Sequence, residues 1–359
     1  MYRSYDDVML EPQYSEVLSR RGIKIAPRLD IGPPNCKTVL FMNTPILSSP
    51  MDTVTDATMA LTMYLEGGLG VLHRYNTIEE QVEMVNKMQG VCGGQLDVIA
   101  AAVGVTDDYL ERALELRKAG VNVFVVDVAH GHHILVKRAI ETLRQKLDEC
   151  VHIMAGNVAS VRGIIDLHQW GADSIRVGVG SGSICSTRIK TGHGVPTLEV
   201  LLQAKENAYC LEHRPVLIAD GGIKTSGDIV KAMAAGASYV MLGSLLAGTD
   251  QAPGGIVEIG DKRFKNYRGM ASPEAQNAWR NAVSSNEGIS TMIPYKGCVS
   301  RILDELNRGI RSGFSYSGAE NLKELQELAI FKNVSPASNL ESSTHILGLN
   351  GVIGKSNII

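Results

Sequence analysis

No stretch of this 359-residue chain stays apolar for the ~18 residues needed to span a bilayer, and its opening, Met1-Tyr2-Arg3-Ser4-Tyr5-Asp6-Asp7, lacks the basic-then-apolar order of a signal peptide. Neither membrane insertion nor secretion is expected, and a cytoplasmic location follows. Surplus charge is missing too: 35 Lys plus Arg stand against 38 Asp plus Glu, a formal net charge of -3. That balance gives no electrostatic case for nucleic acid or a membrane surface as partner. Short cysteine spacings are also absent. Cys36, Cys92, Cys150, Cys185, Cys210 and Cys298 form no CxxC pair, so neither a zinc site nor a disulfide framework is indicated, and each reads as a free thiol.

What is present is the composition of a folded protein, 44% hydrophobic and 20% charged, which excludes disorder for most of the length. At ~150 residues per domain the length permits two domains, yet α/β barrels reach ~250 residues or more around one core. Eight short apolar runs recur: Pro45 to Ser49, Leu69 to His73, Val98 to Val103, Asn122 to Asp127, His152 to Asn157, Ser174 to Val179, Val216 to Asp220 and Tyr239 to Gly243. Between them lie helix-periodic stretches such as Thr77 to Met88 and Asp228 to Ala235. Strands buried on both faces and alternating with helices imply a parallel sheet, and eight such units predict a single (β/α)8 TIM barrel.

Almost every run ends in glycine or polar residues, as in Ser49-Pro50-Met51-Asp52, Gly156-Asn157, Asp220-Gly221-Gly222 and Gly243-Ser244. In a barrel these ends share one face, where active sites sit. Beyond Gly248 the pattern changes. A polar, irregular segment of about 253–297 reads as a flap, and a Ser/Asn/Gly-rich stretch of about 333–359 reads as an extended tail.

The densest chemical signal is Gly178-Val179-Gly180-Ser181-Gly182-Ser183-Ile184-Cys185-Ser186-Thr187-Arg188. Small residues after a strand let backbone N–H groups approach an anion, so phosphate is the natural ligand. The loop is no dinucleotide fingerprint, since Ser183 stands where GxGxxG needs glycine. Cys185 beside Arg188 and two hydroxyls reads as a nucleophile, because nearby positive charge favours the thiolate. Asp220-Gly221-Gly222 and Gly243-Ser244 follow strands seven and eight, the usual phosphate site of such barrels. His130-Gly131-His132-His133 offers only near-adjacent imidazoles and no HExxH pattern, so solvent or ligand contacts are expected there rather than a metal.

These residues resemble the IMP dehydrogenase and GMP reductase family over nearly the whole chain. Besides GVGSGSICSTR (178–188), the similar segments are SSPMDTVT (48–55), GGLGVLHR (67–74), DVAHGH (127–132), AGN (155–157), DGGI (220–223), GSLLAGT (243–249), YRGMAS (267–272), and EGI followed by PYKG (287–297). The resemblance implies a purine nucleotide held by its phosphate between Ser183, Gly222, Gly243, Ser244 and Tyr267. Asp220 falls on the ribose hydroxyls, with Ser49, Met51, Gly269, Met270 and Glu287 near the ribose or base. Cys185 is implied to attack purine C2. Asp127, His130, Asn157 and Gly178 match positions near a nicotinamide cofactor.

Two reactions use such a site: IMP oxidised to XMP with NAD, or GMP reduced to IMP and ammonia with NADPH. The tail Leu340 to His345 is similar to a dehydrogenase segment that completes a potassium site, implying Glu341, Ser342 and Ser343 of a neighbouring subunit beside Gly180, Gly182 and Cys185 in a homotetramer. With SSPMDTVT, GVLHR and GSLLAGT, this favours an IMP dehydrogenase. One feature favours the reductase. Dehydrogenases activate water with an Arg-Tyr pair on a long flap, whereas Pro273 to Asn286 is short and holds Trp279-Arg280 instead. Reductases use a Thr and Glu pair matching Thr187 and Glu287. Arg280 is left as the candidate base of a dehydrogenase, a demanding role for a guanidinium of pKa above ~12. The ~120-residue regulatory CBS pair common in dehydrogenases has no counterpart between Lys87 and Val98. Ser181 and Ser186 replace a usual Pro and Thr.

Overall fold

The structure is a computed structural model and describes residues 2–32, 38–207, 215–280 and 286–341. Eight parallel strands follow one another around a closed barrel: β1 (Ile46–Ser48), β2 (Leu69–Leu72), β3 (Ala100–Val103), β4 (Val123–Asp127), β5 (His152–Val158), β6 (Ser174–Val177), β7 (Val216–Asp220) and β8 (Tyr239–Leu242). Closure comes from β8 pairing with β1, Val240 opposite Ile46 and Leu242 opposite Ser48. Each of the eight expected runs is one of these strands. The surrounding helices are α1 (Ala57–Leu65), α2 (Ile78–Val91), α3 (Tyr109–Lys118), α4 (Ile134–Lys146), α5 (Val161–Gln169), α6 (Thr197–Asn207), α7 (Ser226–Ala234) and α8 (Val299–Tyr316). The chain is a (β/α)8 TIM barrel.

Local chemistry sets where the helices begin. The Thr77 hydroxyl accepts the Glu80 N–H at 3.2 Å while the Glu80 carboxylate accepts the Thr77 N–H at 2.9 Å, and Thr225 with Asp228 starts α7 in the same reciprocal way. Both boxes satisfy N–H groups that a helix start leaves without partners. Apolar residues then divide by strand alternation. One set packs between strands and helices, while Leu47, Val71, Ala100, Ala102, Val125, Met154, Ile218 and Met241 fill the lumen. Leu29, Ile31, Leu40 and Met42, on and beside the antiparallel pair Leu29–Ile31 and Thr38–Leu40, join that inner cluster. This pair closes the end where strands begin: Tyr239 Oη donates to Pro27 O at 3.1 Å, and His152 Nδ1 lies 3.3 Å from Asp30 O.

The opposite end carries the insertion between β8 and α8, and here the expectation of an irregular segment is corrected. Strands β9 (Val257–Ile259), β10 (Lys262–Arg268) and β11 (Ser290–Pro294) form an antiparallel sheet, with a helix at Pro273–Arg280 between the last two. The signal was a period of two: in β10, Lys265 and Tyr267 are buried while Asn266 between them is exposed. Arg268 Nε donates to Asp52 Oδ2 at 2.9 Å, fastening this sheet to the loop after β1.

The expected extended tail is also partly ordered. Ile330–Asn333 pairs antiparallel with Val8–Glu11, and Pro336–Glu341 is a short helix. Ser342 and Ser343 lie outside the described residues. A further correction concerns thiols: Cys92, Cys185 and Cys298 are free, but Cys150 is disulfide-bonded. Among the described residues no helix is long and apolar enough to cross a membrane.

Candidate active site

The glycine-rich loop leaves β6 at Gly178, where φ is +145° and a Cβ would lie 1.9 Å from Asp220 O. Only glycine fits there, and its fit presses the loop against the end of β7. Val179 and Val195 pair across the base of the excursion. At its tip, Ser186 N–H donates to Glu287 O at 2.9 Å and Ile289 N–H to Ile184 O at 3.1 Å. This strap carries Glu287 to a thiol about a hundred residues earlier in the chain. Cys185 Sγ donates to Thr187 Oγ1 at 3.1 Å, and Thr187 Oγ1 donates to Glu287 Oε2 at 2.8 Å. A proton therefore has a two-step path between the sulfur and a carboxylate. The sequence pointed instead to Arg188 as the charge beside the thiol. Its stem packs on Gly180 and Gly194, each of whose built Cβ would stand 2.7 Å from Arg188 Cγ, and no hydrogen bond joins it to Cys185.

Beside the thiol lies a cradle of backbone amides. Leu246 and Ala247 N–H both donate to Gly243 O, at 3.0 and 2.8 Å, so a helical turn opens at Gly243. Among the described residues nothing accepts from the N–H groups of Ser183, Gly222, Ser244 or Leu245. Unengaged amides at the start of a helical turn attract an anion. Gly243 also permits close approach: a Cβ there would stand 3.1 Å from Tyr267 Oη, 3.3 Å from Met51 Sδ and 3.5 Å from Ser49 Oγ. Tyr267 Oη lies 3.4 Å from Ser183 Oγ. Burial pushes the Tyr267 phenol above its ordinary pKa, against the opposing hydrogen bond to Ser183, so it stays a neutral donor.

The cavity floor is ionic. Arg176, on β6 and 5% exposed, sends Nη1 to Asp127 Oδ1 at 2.5 Å and Nη2 to Asp220 Oδ2 at 2.8 Å. Burial opposes its charge, but Asp127 and Asp220 outweigh burial and hold the guanidinium above its usual pKa. Asn157 Nδ2 donates to Asp220 Oδ2 at 2.9 Å and to Gly178 O at 2.8 Å. Next to Asp127, Arg74 Nη2 donates to the Asp127 carbonyl at 3.1 Å, while its buried Nε makes no hydrogen bond and stands 3.9 Å from Asp127 Oδ2 as an ion pair. The Arg74 guanidinium stands 5.0 Å from the Tyr75 ring and 5.9 Å from Trp279, whose ring meets Tyr75 edge-on at 5.2 Å. Sequence reasoning missed Arg74 and Arg176, although an arginine inside the apolar run Ser174 to Val179 was itself a signal, since a buried charge needs partners.

One cavity of about 830 Å³ gathers these groups. Ser49, Met51, Asp127, Asn157, Gly178, Gly180, Gly182, Ser183, Cys185, Thr187, Asp220, Gly222, Gly243, Ser244, Tyr267, Gly269, Met270 and Glu287 all line it, as do Arg74, Tyr75 and Trp279. His130 does not. It is exposed, and burial together with neighbouring imidazoles lowers its pKa. His133 caps α4 by accepting the Leu135 N–H, and His132 Nε2 lies 2.8 Å from Asp166. Glu341 ends the short helix Pro336–Glu341, exposed. Arg280 ends the flap helix, its side chain outside the described residues.

A family model described as IMP dehydrogenase / GMP reductase domain matches residues 3–345. The chain belongs to the IMP dehydrogenase and GMP reductase family. Among named members, the IMP dehydrogenase of Nitrosopumilus maritimus is 31% identical, covering 95% of this chain and 98% of that protein. A GMP reductase of Leishmania major is equally 31% identical, over 95% and 96%. The IMP dehydrogenase of Rhizobium tropici is 45% identical over 68% of this chain and 51% of its own. Among solved structures, a variant GMP reductase of Trypanosoma brucei in complex with guanosine 5'-monophosphate superposes with a TM-score of 0.85 at 29% identity, covering 96% of this chain and 98% of that one. The N. maritimus alignment runs over 474 positions, more than the 359 residues here, so that relative carries segments with no counterpart in this family member.

Proposed function

We propose that this oxidoreductase is a GMP reductase, converting GMP to IMP and ammonia through a covalent Cys185 intermediate. The observation that carries the reading is the Cys185–Thr187–Glu287 relay, taken with a flap that has one arginine and no tyrosine between Met270 and Glu287. The thiol proton passes through Thr187 to Glu287 as sulfur bonds to purine C2. Glu287 then returns it through Thr187 to the 2-amino group, which leaves as ammonia. Ser183, Gly222, Gly243, Ser244 and Tyr267 hold the phosphate, Asp220 the ribose, and Ser49, Met51, Gly269 and Met270 the base side. The dehydrogenase alternative must instead activate water at C2, and the flap offers no tyrosine to complete the Arg-Tyr pair that such activation uses. What favours that second reading is the prevalence of IMP dehydrogenase among the named relatives, at 31 to 45% identity.

A nicotinamide cofactor, NADPH in this direction and NAD in the other, supplies or takes the hydride at C2. The cavity suits one: beyond the amide cradle its wall carries the Arg74 guanidinium, whose buried Nε makes no hydrogen bond, and the aromatic faces of Tyr75 and Trp279. Asp127, Asn157 and Gly178 complete that side. Potassium fits the loop as well, because the carbonyls of Gly180 and Cys185 accept no hydrogen bond among the described residues, and such oxygens suit a hard cation. With Gly182, and Glu341, Ser342 and Ser343 from a neighbouring subunit, they compose a shared site in a cytoplasmic homotetramer. We read the chain as one catalytic domain without a regulatory pair. The test is nicotinamide absorbance in parallel wells, GMP with NADPH against IMP with NAD, potassium present in both. A fall only in the first supports the reductase; a rise only in the second overturns it.

A further inference from the structure

The sheet of β9 to β11 grips the loop after β8 through two ammonium groups. Lys265 Nζ, from β10, donates to Thr249 O at 3.0 Å and Ala252 O at 2.5 Å. Lys296 Nζ, just beyond β11, donates to Ser244 O at 2.5 Å and Leu245 O at 3.2 Å. The Ser244 carbonyl shares its peptide unit with the Leu245 N–H, one of the unengaged amides of the cradle. In a trans peptide these two groups point in opposite directions. A cation on the carbonyl therefore fixes where the N–H aims and polarises it toward an anion.

We propose that Lys296 is a positioning residue for the substrate's phosphate, holding the Ser244–Leu245 peptide carbonyl-outward so that the Leu245 amide faces the cradle. Its charge adds to the attraction for the phosphate without touching it. This rests on the purine nucleotide reading above. The surroundings make that charge responsive to pH. Burial alone pushes the Lys296 ammonium down to about 8, and the neighbouring charges are otherwise engaged. Asp250 accepts from Tyr295 Oη at 2.5 Å, Arg263 lies 4.4 Å over the Tyr295 ring, and Lys265 is on its own carbonyls. Because the pKa is depressed in the free protein, Lys296 is charged below about 8 and loses its proton above. A dianionic phosphate favours the charged form, so binding is tightest below that value and weakens as pH rises through it.

The experiment measures equilibrium binding of GMP and of guanosine, which lacks the phosphate, between pH 7 and 9, without cofactor. For the wild type, GMP affinity falls by up to about tenfold per pH unit above 8 relative to guanosine; the ratio cancels titration of the base. Lys296→Met weakens GMP by about tenfold at pH 7, as expected for a unit charge lost near the phosphate and an amide no longer aimed at it, leaves guanosine within about twofold, and flattens the ratio. Lys296→Arg, charged throughout, keeps GMP tight with a flat ratio. A wild-type pH response in Lys296→Arg overturns the proposal, as does equal loss of GMP and guanosine in Lys296→Met. If Lys296→Met does not fold, the arginine arm decides. Wild-type protein that binds neither GMP nor IMP refutes the functional reading itself, whereas binding indifferent to Lys296 refutes this inference alone.

Discussion

Replacing Arg176 by methionine removes the one cation shared by two buried carboxylates. The arginine side chain is 6% exposed, Asp127 14% and Asp220 16%, so both acids are left charged in a poorly solvated floor. Removing one partner of a buried pair costs about 3–5 kcal/mol. Unfolding entropy of about 2.1 cal/mol/K per residue over 359 residues gives about 0.75 kcal/mol/K, so Tm should fall by about 4–7 °C. Scanning calorimetry of the two proteins measures it. A triple variant with Asp127→Asn and Asp220→Asn added should regain part of the loss, since neither acid then carries an unpaired charge and only the 3.9 Å ion pair of Arg74 with Asp127 is given up. A single variant within about 1 °C of wild type, or a triple variant less stable than the single, refutes the ionic-floor reasoning.

Other expectations follow from the same geometry. Cys185→Ala should abolish turnover while GMP affinity, read by calorimetric titration, stays near wild type, because the cradle amides lie elsewhere. Glu287→Gln should slow kcat by about 10²- to 10⁴-fold, the range for a lost general acid–base group, and equal loss in KM alone would contradict the relay. Potassium should activate, with Glu341→Ala raising the potassium concentration needed; a rate indifferent to potassium removes the shared-site reading.

The barrel was legible because its strands are short apolar runs at regular intervals, and the cradle because glycines mark strand ends. Even the partners of the thiol, Thr187 and Glu287, could be named through family resemblance, though their contact needs the Ile184–Ile289 strap that no local pattern shows. The flap sheet was hidden by composition: lysines and arginines in Lys262 to Arg268 make it look irregular, while its burial alternates. Arg188 misled for the opposite reason, since adjacency in the chain did not place its charge at the sulfur. Lys265 and Lys296 were invisible because their partners are backbone carbonyls, which carry no sequence signature.

The proposed reaction depends first on the bond between Cys185 and purine C2. Acid-quenching the enzyme with GMP during turnover, followed by intact-mass and peptide mass spectrometry, tests it. The prediction is protein heavier by one GMP less one ammonia, with the added mass on the peptide carrying Cys185 and absent from Cys185→Ala. Continued turnover with Cys185 unmodified throughout would contradict it.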